Sequence, residues 1–307
     1  MSTVQLGDGV WSVRAALGAG CTPKQLRGRS VTHLLHGVVT AAPGSTSLVQ
    51  RARAALLVAG PEAYLCEVTA LGLAGVGLPR RLALDDEPIH LHVGAGRCGP
   101  QRTGVRAHRT ARQLPPARTR GLPCLDLAEC WLQLAARATV AELVMVGDGL
   151  ARRGRPLLVA PAALAESVAA SGRRPGIRAA RAAVALVRSG TDSPMESLTR
   201  YHLVDAGLPE PRINFPILDD SGWPEFFLDM AYPAQLLGVE YDGTGHATVT
   251  SLRQDAYRRR RLEDQGWRLI TVTAADQADR FAAVVASVRR ELATRPIHPL
   301  PPAPSVR

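Results

Sequence analysis

The sequence predicts an α+β protein of several domains, and three observations lead to this fold class. Its 307 residues exceed the usual size of one domain, so two or three domains are expected. Apolar residues repeat with the periods of both helices and strands. Charge is uneven: residues 1–190 hold 24 basic and 11 acidic side chains, whereas residues 191–307 hold 13 and 16. We therefore expect basic N-terminal domains and a separate, weakly acidic C-terminal domain.

Changes in composition place the boundaries between these domains. Residues 151–191 are rich in Ala and Arg and are interpreted as a helical linker. Residues 296–307 contain five prolines and are predicted to be disordered. The rest of the chain divides into an N-terminal unit over residues 1–47, a small α/β domain over residues 48–150 and a C-terminal domain over residues 192–295.

The first unit has the element order of a winged helix-turn-helix. Val10–Leu17 reads as an amphipathic helix. Thr22 followed by Pro23 predicts the start of a second helix, because proline is favoured at the first helical position. A third helix is expected from Val31 to His36, followed by a strand over Val38–Thr40.

Basic residues accompany the second of these helices. Lys24, Arg27 and Arg29 lie where a winged helix-turn-helix meets phosphate. Lys24 is the one lysine of the chain. The alternative interpretation of this unit is a small three-helix cap on the next domain.

The second domain mixes helical stretches with one clear strand. Pro88–Val93 alternates with a period of two, and His90 and His92 share one face of that strand. This spacing can bind metal, but no third ligand lies nearby in the sequence, so we interpret it as a solvated strand face. Asp126 and Asp148 are expected to be helix caps or ion-pair partners. Helices are expected over residues 51–59, 68–76, 125–134 and 138–146.

Composition also argues against several classes of protein. The five cysteines form no C-x-x-C pair, which argues against a zinc knuckle. No apolar run approaches the ~18 residues of a membrane span, and the first residues lack the pattern of a signal peptide. We therefore expect a cytoplasmic protein with reduced cysteines and no membrane partner. The net charge of +10 favours a polyanionic partner such as DNA or RNA.

The C-terminal domain is predicted to have the order α-β-β-β-α-β-α. Ser193-Pro194-Met195-Glu196 reads as a capping box with proline at the first helical position. The expected elements are a helix to residue 206, strands over 212–218, 225–231 and 236–241, a helix over 251–265, a strand over 267–273 and a helix over 275–292.

Two acidic residues lie within apolar strand runs of this domain. If the strands form a hairpin that turns at Ala234-Gln235, Asp229 faces Glu240 with Cβ atoms ~5 Å apart. Opposed like charges destabilise a sheet, and carboxylates are costly in a buried strand without a partner. Mg²⁺ is typically bound by one or two carboxylates plus phosphate. The sequence therefore predicts a site for Mg²⁺ (or Mn²⁺) at Asp229 and Glu240.

The same region resembles the restriction-endonuclease-like fold, the PD-(D/E)xK nucleases, and within it a very-short-patch-repair-related (Vsr-like) family of uncharacterised function. The preceding residues resemble, more loosely, the winged helix and following domain of abortive-infection type IV antitoxins, in their element order and in Leu125-Asp126-Leu127-Ala128. The nuclease resemblance covers roughly a third of the chain and rests on Glu196, Asp229, Glu240-Tyr241-Asp242-Gly243-x-x-His246, Asp255-x-x-Arg258 and Gly266-Trp267-Arg268-Leu269-Ile270.

This resemblance implies a role for each matching residue. Asp229 and Glu240 would be metal ligands, and Glu196 would be a further acidic residue of the catalytic site. The ion would activate water and neutralise charge on the scissile phosphate. His246 would act as general base or position the water, and Arg258 would contact nucleic acid.

One position departs from the nuclease pattern. Asp242 stands where the wider fold has lysine, and residues 191–307 contain no lysine. Three interpretations stay open: Asp242 joins the metal site, His246 or Arg258 substitutes for the lysine, or the domain is inactive. Each residue also has a purely structural interpretation. Glu196 could be the acid of the capping box, Asp242-Gly243 a turn after the strand, and His246 a loop histidine bonded to the backbone.

Two functions from different classes follow. The first is a metal-dependent endonuclease that hydrolyses phosphodiester bonds in DNA. The second is a non-catalytic, antitoxin-like DNA-binding transcriptional regulator with a degenerate nuclease domain. Charge does not discriminate between DNA and RNA, and a protein partner stays open.

Overall fold

A computed structural model describes residues 9–41, 46–82, 87–94, 102–109, 114, 116–153, 157–243 and 249–299, with side chains of its helix over residues 249–264 described from residue 256 onward. These residues form a mixed α/β protein with three sheets, in agreement with the predicted α+β class. The chain divides into two compact units: unit 1 comprises residues 1–139 and 162–181, and unit 2 comprises residues 140–161 and 182–307. In the described part of the chain, no helix has the length and apolar character needed to cross a membrane.

The described residues contain helices and strands in both units. The helices are α1 (Val13–Gly18), α2 (Pro23–Leu26), α3 (Leu48–Ala59), α4 (Glu67–Leu73), α5 (Leu127–Leu134), α6 (Val140–Leu150), α7 (Pro161–Ala170), α8 (Ile177–Val184), α9 (Pro194–Asp205), α10 (Val249–Asp264) and α11 (Ala282–Thr294). The strands are β1 (Val10–Ser12), β2 (Thr32–Leu35), β3 (Val38–Thr40), β4 (Tyr64–Leu65), β5 (Ile89–Val93), β6 (Val105–Arg109), β7 (Pro116–Thr119), β8 (Leu122–Leu125), β9 (Arg212–Leu218), β10 (Pro224–Tyr232), β11 (Leu237–Tyr241) and β12 (Arg268–Val272).

The described part of unit 1 starts with strand β1 and two short helices, and β1 joins an antiparallel sheet in the order β1-β3-β2. The helix predicted from Val10 therefore begins only at Val13, because Val10–Ser12 pair with β3. The prediction of a helix over Val31–His36 is wrong, because Thr32–Leu35 form strand β2. Every residue of β3 is buried, and a buried strand needs hydrogen-bonding partners on both edges. Gly37, with φ of 79°, makes the tight turn that returns the chain from β2 to β3.

The larger sheet of unit 1 has the order β6-β5-β4-β8-β7. β5 pairs in parallel with β6 over its whole length, so that His92 lies beside His108 in the register. α3 and α4 pack against β5, and α5 packs against α4. The carboxylate of Asp126 accepts the N–H groups of Ala128 and Glu129 at the start of α5 at 2.9 and 3.3 Å, so its predicted role as a cap is confirmed.

Within unit 1, the segment between α7 and α8 packs against α5. The Arg174 guanidinium donates two hydrogen bonds, at 2.8 and 3.0 Å, to the Glu129 carboxylate on α5. Both side chains are largely buried, so this bidentate pair holds the segment against the helix.

Unit 2 is built on a four-stranded mixed sheet in the order β12-β11-β10-β9. β10 pairs antiparallel with both β9 and β11, and β12 pairs in parallel with β11. The predicted order α-β-β-β-α-β-α is confirmed by α9, β9, β10, β11, α10, β12 and α11. Phe215 and Leu228 from the sheet pack with Leu262 of α10 and with Trp267 in one core cluster. This core fixes α10 against the sheet that carries the candidate site.

Candidate functional site

The predicted register of the hairpin that carries the two central acidic residues is confirmed. Met230 pairs with Val239, Ala231 with Gly238 and Tyr232 with Leu237. The next position of this ladder sets Asp229 on β10 against Glu240 on β11. The side chains are therefore neighbours on one face of the sheet, as the hairpin register predicts.

Each carboxylate of this pair has a defined partner. Oδ2 of Asp229 accepts the backbone N–H of Tyr241 at 2.8 Å, which links β10 to the residue after Glu240. The Arg258 guanidinium from α10 forms an ion pair with Glu240. It also donates to the carbonyl oxygen of Phe227 at 2.6 Å, so it is fixed to both strands.

Glu196 lies in the first turn of α9, which packs against β10 and β11. The predicted capping box is confirmed in part. The Ser193 side chain accepts the N–H of Glu196 at 3.2 Å, and Pro194 occupies the first turn. The Glu196 carboxylate, however, accepts the N–H of Asp192 at 2.8 Å, one residue before the expected partner. Glu196 is only 6% exposed, so its carboxylate is part of the interior of unit 2.

The pKa of each of the three acids is raised above its ordinary value. Burial raises the pKa of Asp229, although the Tyr241 N–H and Arg258 oppose this rise. Burial also raises the pKa of Glu240, with Arg258 lowering it and the Asp229 charge raising it. Burial raises the pKa of Glu196, and the charge of Asp229 adds to the rise. The charge of Asp229 therefore contributes to the raised pKa of both Glu240 and Glu196.

A pocket of about 690 Å³ opens at this pair of strands. Asp229 and Glu240 line it together with the arginines 258, 259 and 268. Acidic groups at the sheet and cations around them are the combination expected for a site that binds a metal ion and a phosphate.

The other predicted residues of this site have different positions. Asp242 directly follows β11, and its side chain is exposed, while its N–H donates to the carbonyl oxygen of Val272 at 2.7 Å. His246 lies outside the described residues. Glu196, Asp229 and Glu240 do not form a group of three whose ligand atoms all lie within 4.8 Å of one another among the described side chains.

The predicted phosphate-contacting residues of unit 1 are all exposed. Lys24 lies on α2, and Arg27 and Arg29 follow that helix directly. The helix is fixed by a capping box in which Thr22 and Gln25 satisfy each other's N–H groups, and by the buried Leu26. The three basic side chains are therefore attached to a short helix, or to the residues just after it, that is fixed by its cap and by core packing.

A second cluster of candidate functional residues was missed by the sequence interpretation. His90 and His92 are buried, so the prediction of a solvated strand face is wrong. His90 meets Glu67 from the start of α4 and His108 from β6 in a group whose ligand atoms all lie within 4.8 Å. This group could hold a metal ion. An acidic residue in the apolar stretch Cys66–Leu73 was the available signal, but the partner His108 becomes visible only once β5 and β6 pair in parallel.

The distances in this cluster are short. Nδ1 of His90 lies 2.9 Å from a Glu67 carboxylate oxygen and 3.0 Å from Nε2 of His108. Nε2 of His90 makes a hydrogen bond of 3.1 Å with Glu87. The Arg137 guanidinium bridges Glu67 at 3.1 Å and Glu87 at 3.0 Å.

Charges in the cluster set the protonation of its members. Burial opposes ionisation of Glu67, but His90, His108 and Arg137 outweigh it and lower the pKa of the carboxyl group below its ordinary value. Burial lowers the pKa of His108, with Glu67 opposing this effect. The neighbouring cations thus favour the ionised form of Glu67, and burial favours the neutral form of His108.

Comparison with known proteins finds two relatives that match this chain over most of their length. Two uncharacterized proteins of Mycobacterium tuberculosis, MT2308 of strain CDC 1551 / Oshkosh and Rv2248 of strain H37Rv, are each 27% identical to this chain over 271 residues. The match covers 87% of this chain and 94% of each relative, so it extends over parts of both units. No family model and no solved structure matches the chain.

Proposed function

We propose that this protein is a metal-dependent endonuclease of the restriction-endonuclease-like, Vsr-like class that hydrolyses phosphodiester bonds in DNA. The observation that supports this proposal best is the β10–β11 register, which sets Asp229 against Glu240 at a pocket lined by arginines. Glu196 adds a third acid whose pKa responds to Asp229. Acids with raised pKa values in a pocket are common at functional sites.

The donor set of the strand pair fits Mg²⁺ or Mn²⁺. Carboxylate oxygens are the ligands that these hard cations prefer. When bound, such an ion supplies an activated water molecule and neutralises charge on the phosphate. The Tyr241 N–H fixes the orientation of the Asp229 carboxylate, and the N–H of Asp192 fixes that of Glu196.

Arg258 is the best substitute for the missing lysine. It projects from α10 to Glu240 and is fixed by Phe227, whereas the side chain of Asp242 is exposed beyond the strand end. A guanidinium stays charged and can donate two parallel hydrogen bonds to a phosphate. In the proposed reaction Arg258 binds the scissile phosphate while remaining close to Glu240.

A second candidate function has an observation in its favour. Arg258 already compensates the charge of Glu240, so the carboxylate pair is partly neutralised by the protein itself. A domain with this arrangement can bind nucleic acid without cleaving it. The second candidate is therefore a non-catalytic, antitoxin-like DNA-binding regulator that has kept the fold.

Cleavage of supercoiled plasmid by the full chain tests the first candidate. We expect nicking with Mg²⁺ or Mn²⁺ that EDTA abolishes. Asp229→Asn is expected to lower the nicking rate by about 10²–10³-fold, the loss typical of removing one electrostatic contribution to a charged transition state. Glu240→Gln should act in the same direction, and a single-stranded RNA substrate decides between DNA and RNA.

A matched control separates chemistry from folding. Asp264→Asn changes an exposed acid at the end of α10 in the same unit and should leave the rate unchanged. Absence of cleavage by the wild type with either ion, together with an intact gel shift of the plasmid, would contradict the nuclease and favour the binding module. Equal nicking rates for the wild type and Asp229→Asn would contradict the assignment of Asp229 to the catalytic site.

The exposed cations of α2 lead to a separate prediction for DNA affinity. We propose that the N-terminal part of unit 1 is a winged helix-turn-helix that binds the phosphate backbone. Lys24→Ala combined with Arg27→Ala is expected to weaken DNA binding and to reduce the slope of log affinity against log salt by about 2, since each lost phosphate contact contributes about 1. Fluorescence anisotropy of a labelled duplex at several salt concentrations measures this slope. Arg53→Ala, an exposed arginine of α3, is the control; an equal loss in the control would place the DNA elsewhere.

A further inference from the structure

We infer that Glu67, His90 and His108 form a binding site for one divalent transition-metal ion of the zinc class, separate from the proposed nuclease site. Three secondary-structure elements of unit 1 bring these residues together: the start of α4, the centre of β5 and the end region of β6. One ligand atom from each lies within 4.8 Å of the other two. Two imidazoles and one carboxylate are a ligand set known for Zn²⁺ and Fe²⁺.

The distances between these atoms match those around a tetrahedral ion. Bonds of about 2.0–2.1 Å place neighbouring ligand atoms about 3.3–3.4 Å apart. Nδ1 of His90 lies 2.9 Å from Glu67 and 3.0 Å from Nε2 of His108, and that Nε2 lies 3.6 Å from the other Glu67 oxygen. These distances, which involve both carboxylate oxygens of Glu67, lie on either side of the expected separation.

The surrounding residues orient the ligands as outer partners do in metal sites. Nε2 of His90 and Glu87 are joined by a hydrogen bond, and when Nε2 is the donor, the lone pair of the ring is on Nδ1. That lone pair faces Glu67 and His108. Arg137 binds both Glu67 and Glu87 and holds the carboxylates in place. A carboxylate has about four lone-pair sites, so the contact with Arg137 leaves room for an ion at Glu67.

Two features of Glu67 are unusual. Its Oε2 is buried and lies 2.9 Å from Nδ1 of His90 and 3.1 Å from the Arg137 guanidinium, although no contact to this atom within the described part of the chain has the alignment of a hydrogen bond. Glu67 has a φ of 48°, and a left-handed conformation costs a residue with a side chain about 1–2 kcal/mol. Such strain is found preferentially at functional sites, and here it turns the carboxylate towards the two histidines.

Access and selectivity follow from the same geometry. The side chain of His108 is 30% exposed, whereas that of His90 is fully buried, so an ion can reach the cluster from the side of His108. Imidazole ligands favour Zn²⁺, Co²⁺ and Fe²⁺ over Mg²⁺. Three protein ligands leave one position of a tetrahedral ion for water or another ligand.

Titration of the chelator-treated full chain with Zn²⁺ and Co²⁺ tests this site. The Asp229→Asn chain is used, so that the carboxylate pair of unit 2 does not contribute. We expect one Zn²⁺ per chain by calorimetry. We also expect Co²⁺ to give visible ligand-field absorption of a nitrogen–oxygen site, without the intense near-ultraviolet band of a thiolate. Mg²⁺ at the same concentration should not compete.

Two variants assign the ligands. His108→Ala is expected to weaken Zn²⁺ binding by at least about 100-fold, because loss of even an outer partner of a metal ligand costs about 10–100-fold. His36→Ala removes an exposed histidine of the same unit and should leave the affinity unchanged. The absence of one bound equivalent in the parent chain would overturn the inference and leave a metal-free ion-pair network. Unchanged binding in His108→Ala, or a thiolate band, would overturn it as well.

Discussion

Replacement of Arg200 by Met is expected to destabilise unit 2 by about 3–5 kcal/mol, the usual cost of breaking a buried ion pair from one side. The Arg200 side chain of α9 and the Asp148 side chain of α6 are both fully buried, and their charged atoms lie 2.9 Å apart. Burial raises the pKa of Asp148, with Arg200 as the first of the groups that oppose this rise. The variant therefore leaves a buried carboxylate without its main counter-charge.

A neighbouring arginine provides the control for this prediction. Arg188 binds Glu210 at 2.9 Å, and the same Glu210 also binds Arg200 at 2.8 Å. The Arg188 and Glu210 side chains are 38% and 35% exposed, so water screens their charges. Arg188→Met is expected to cost less than about 1 kcal/mol. Urea unfolding followed by tryptophan fluorescence measures both changes, and a loss below 1 kcal/mol for Arg200→Met would contradict the assignment of this pair as a structural centre.

The sequence was sufficient for the sheet of unit 2 because its signals are local. Apolar runs bounded by turn residues defined β9, β10 and β11, and the length of the turn at Ala234-Gln235 set the register that pairs Asp229 with Glu240. A one-residue slip would have sent the two side chains to opposite faces. The role of Asp148 in an ion pair was also predictable, since an acid within a buried helix needs a partner.

The incorrect helix over Val31–His36 shows where local signals failed. The apolar residues of this stretch fit a helix as well as a strand, and a short run does not discriminate between the two. The stretch forms a strand because the buried strand β3 needs a hydrogen-bonding partner on that edge, and β2 is this partner. Tertiary pairing therefore overrode the helical interpretation.

The cluster of Glu67, His90 and His108 could not be predicted for a related reason. His90 and His108 are 18 positions apart, and they meet only because β5 and β6 run in parallel beside each other. Glu67 arrives from a third element. No sequence spacing encodes such a contact, so the partners of His90 were present in the sequence but distant along the chain.

Replacement of Gly176 by Ala is expected to destabilise unit 1 by about 3 kcal/mol or more. Gly176 has a φ of 76°, which costs an alanine about 1–2 kcal/mol by itself. A Cβ atom at this position would overlap the carbonyl group of Ala135 and lie 2.6 Å from the backbone nitrogen of Ala136. Backbone atoms after α5 cannot move aside as a side chain can, and overpacking adds about 1–3 kcal/mol. Thermal unfolding should show a fall in Tm of roughly 6–12 °C for a unit of this size.

Gly172 allows the two contributions to be separated. It also has a left-handed φ, of 59°, but a Cβ atom there would meet nothing within 4 Å among the described residues. Gly172→Ala should therefore show the conformational cost of about 1–2 kcal/mol alone. The difference between the two variants measures how closely the segment carrying Arg174 approaches α5, because that approach is what brings the Arg174 guanidinium to Glu129. Equal losses for both variants would mean that Gly176 is required only for its backbone conformation and that the close packing against Ala135 contributes nothing to stability.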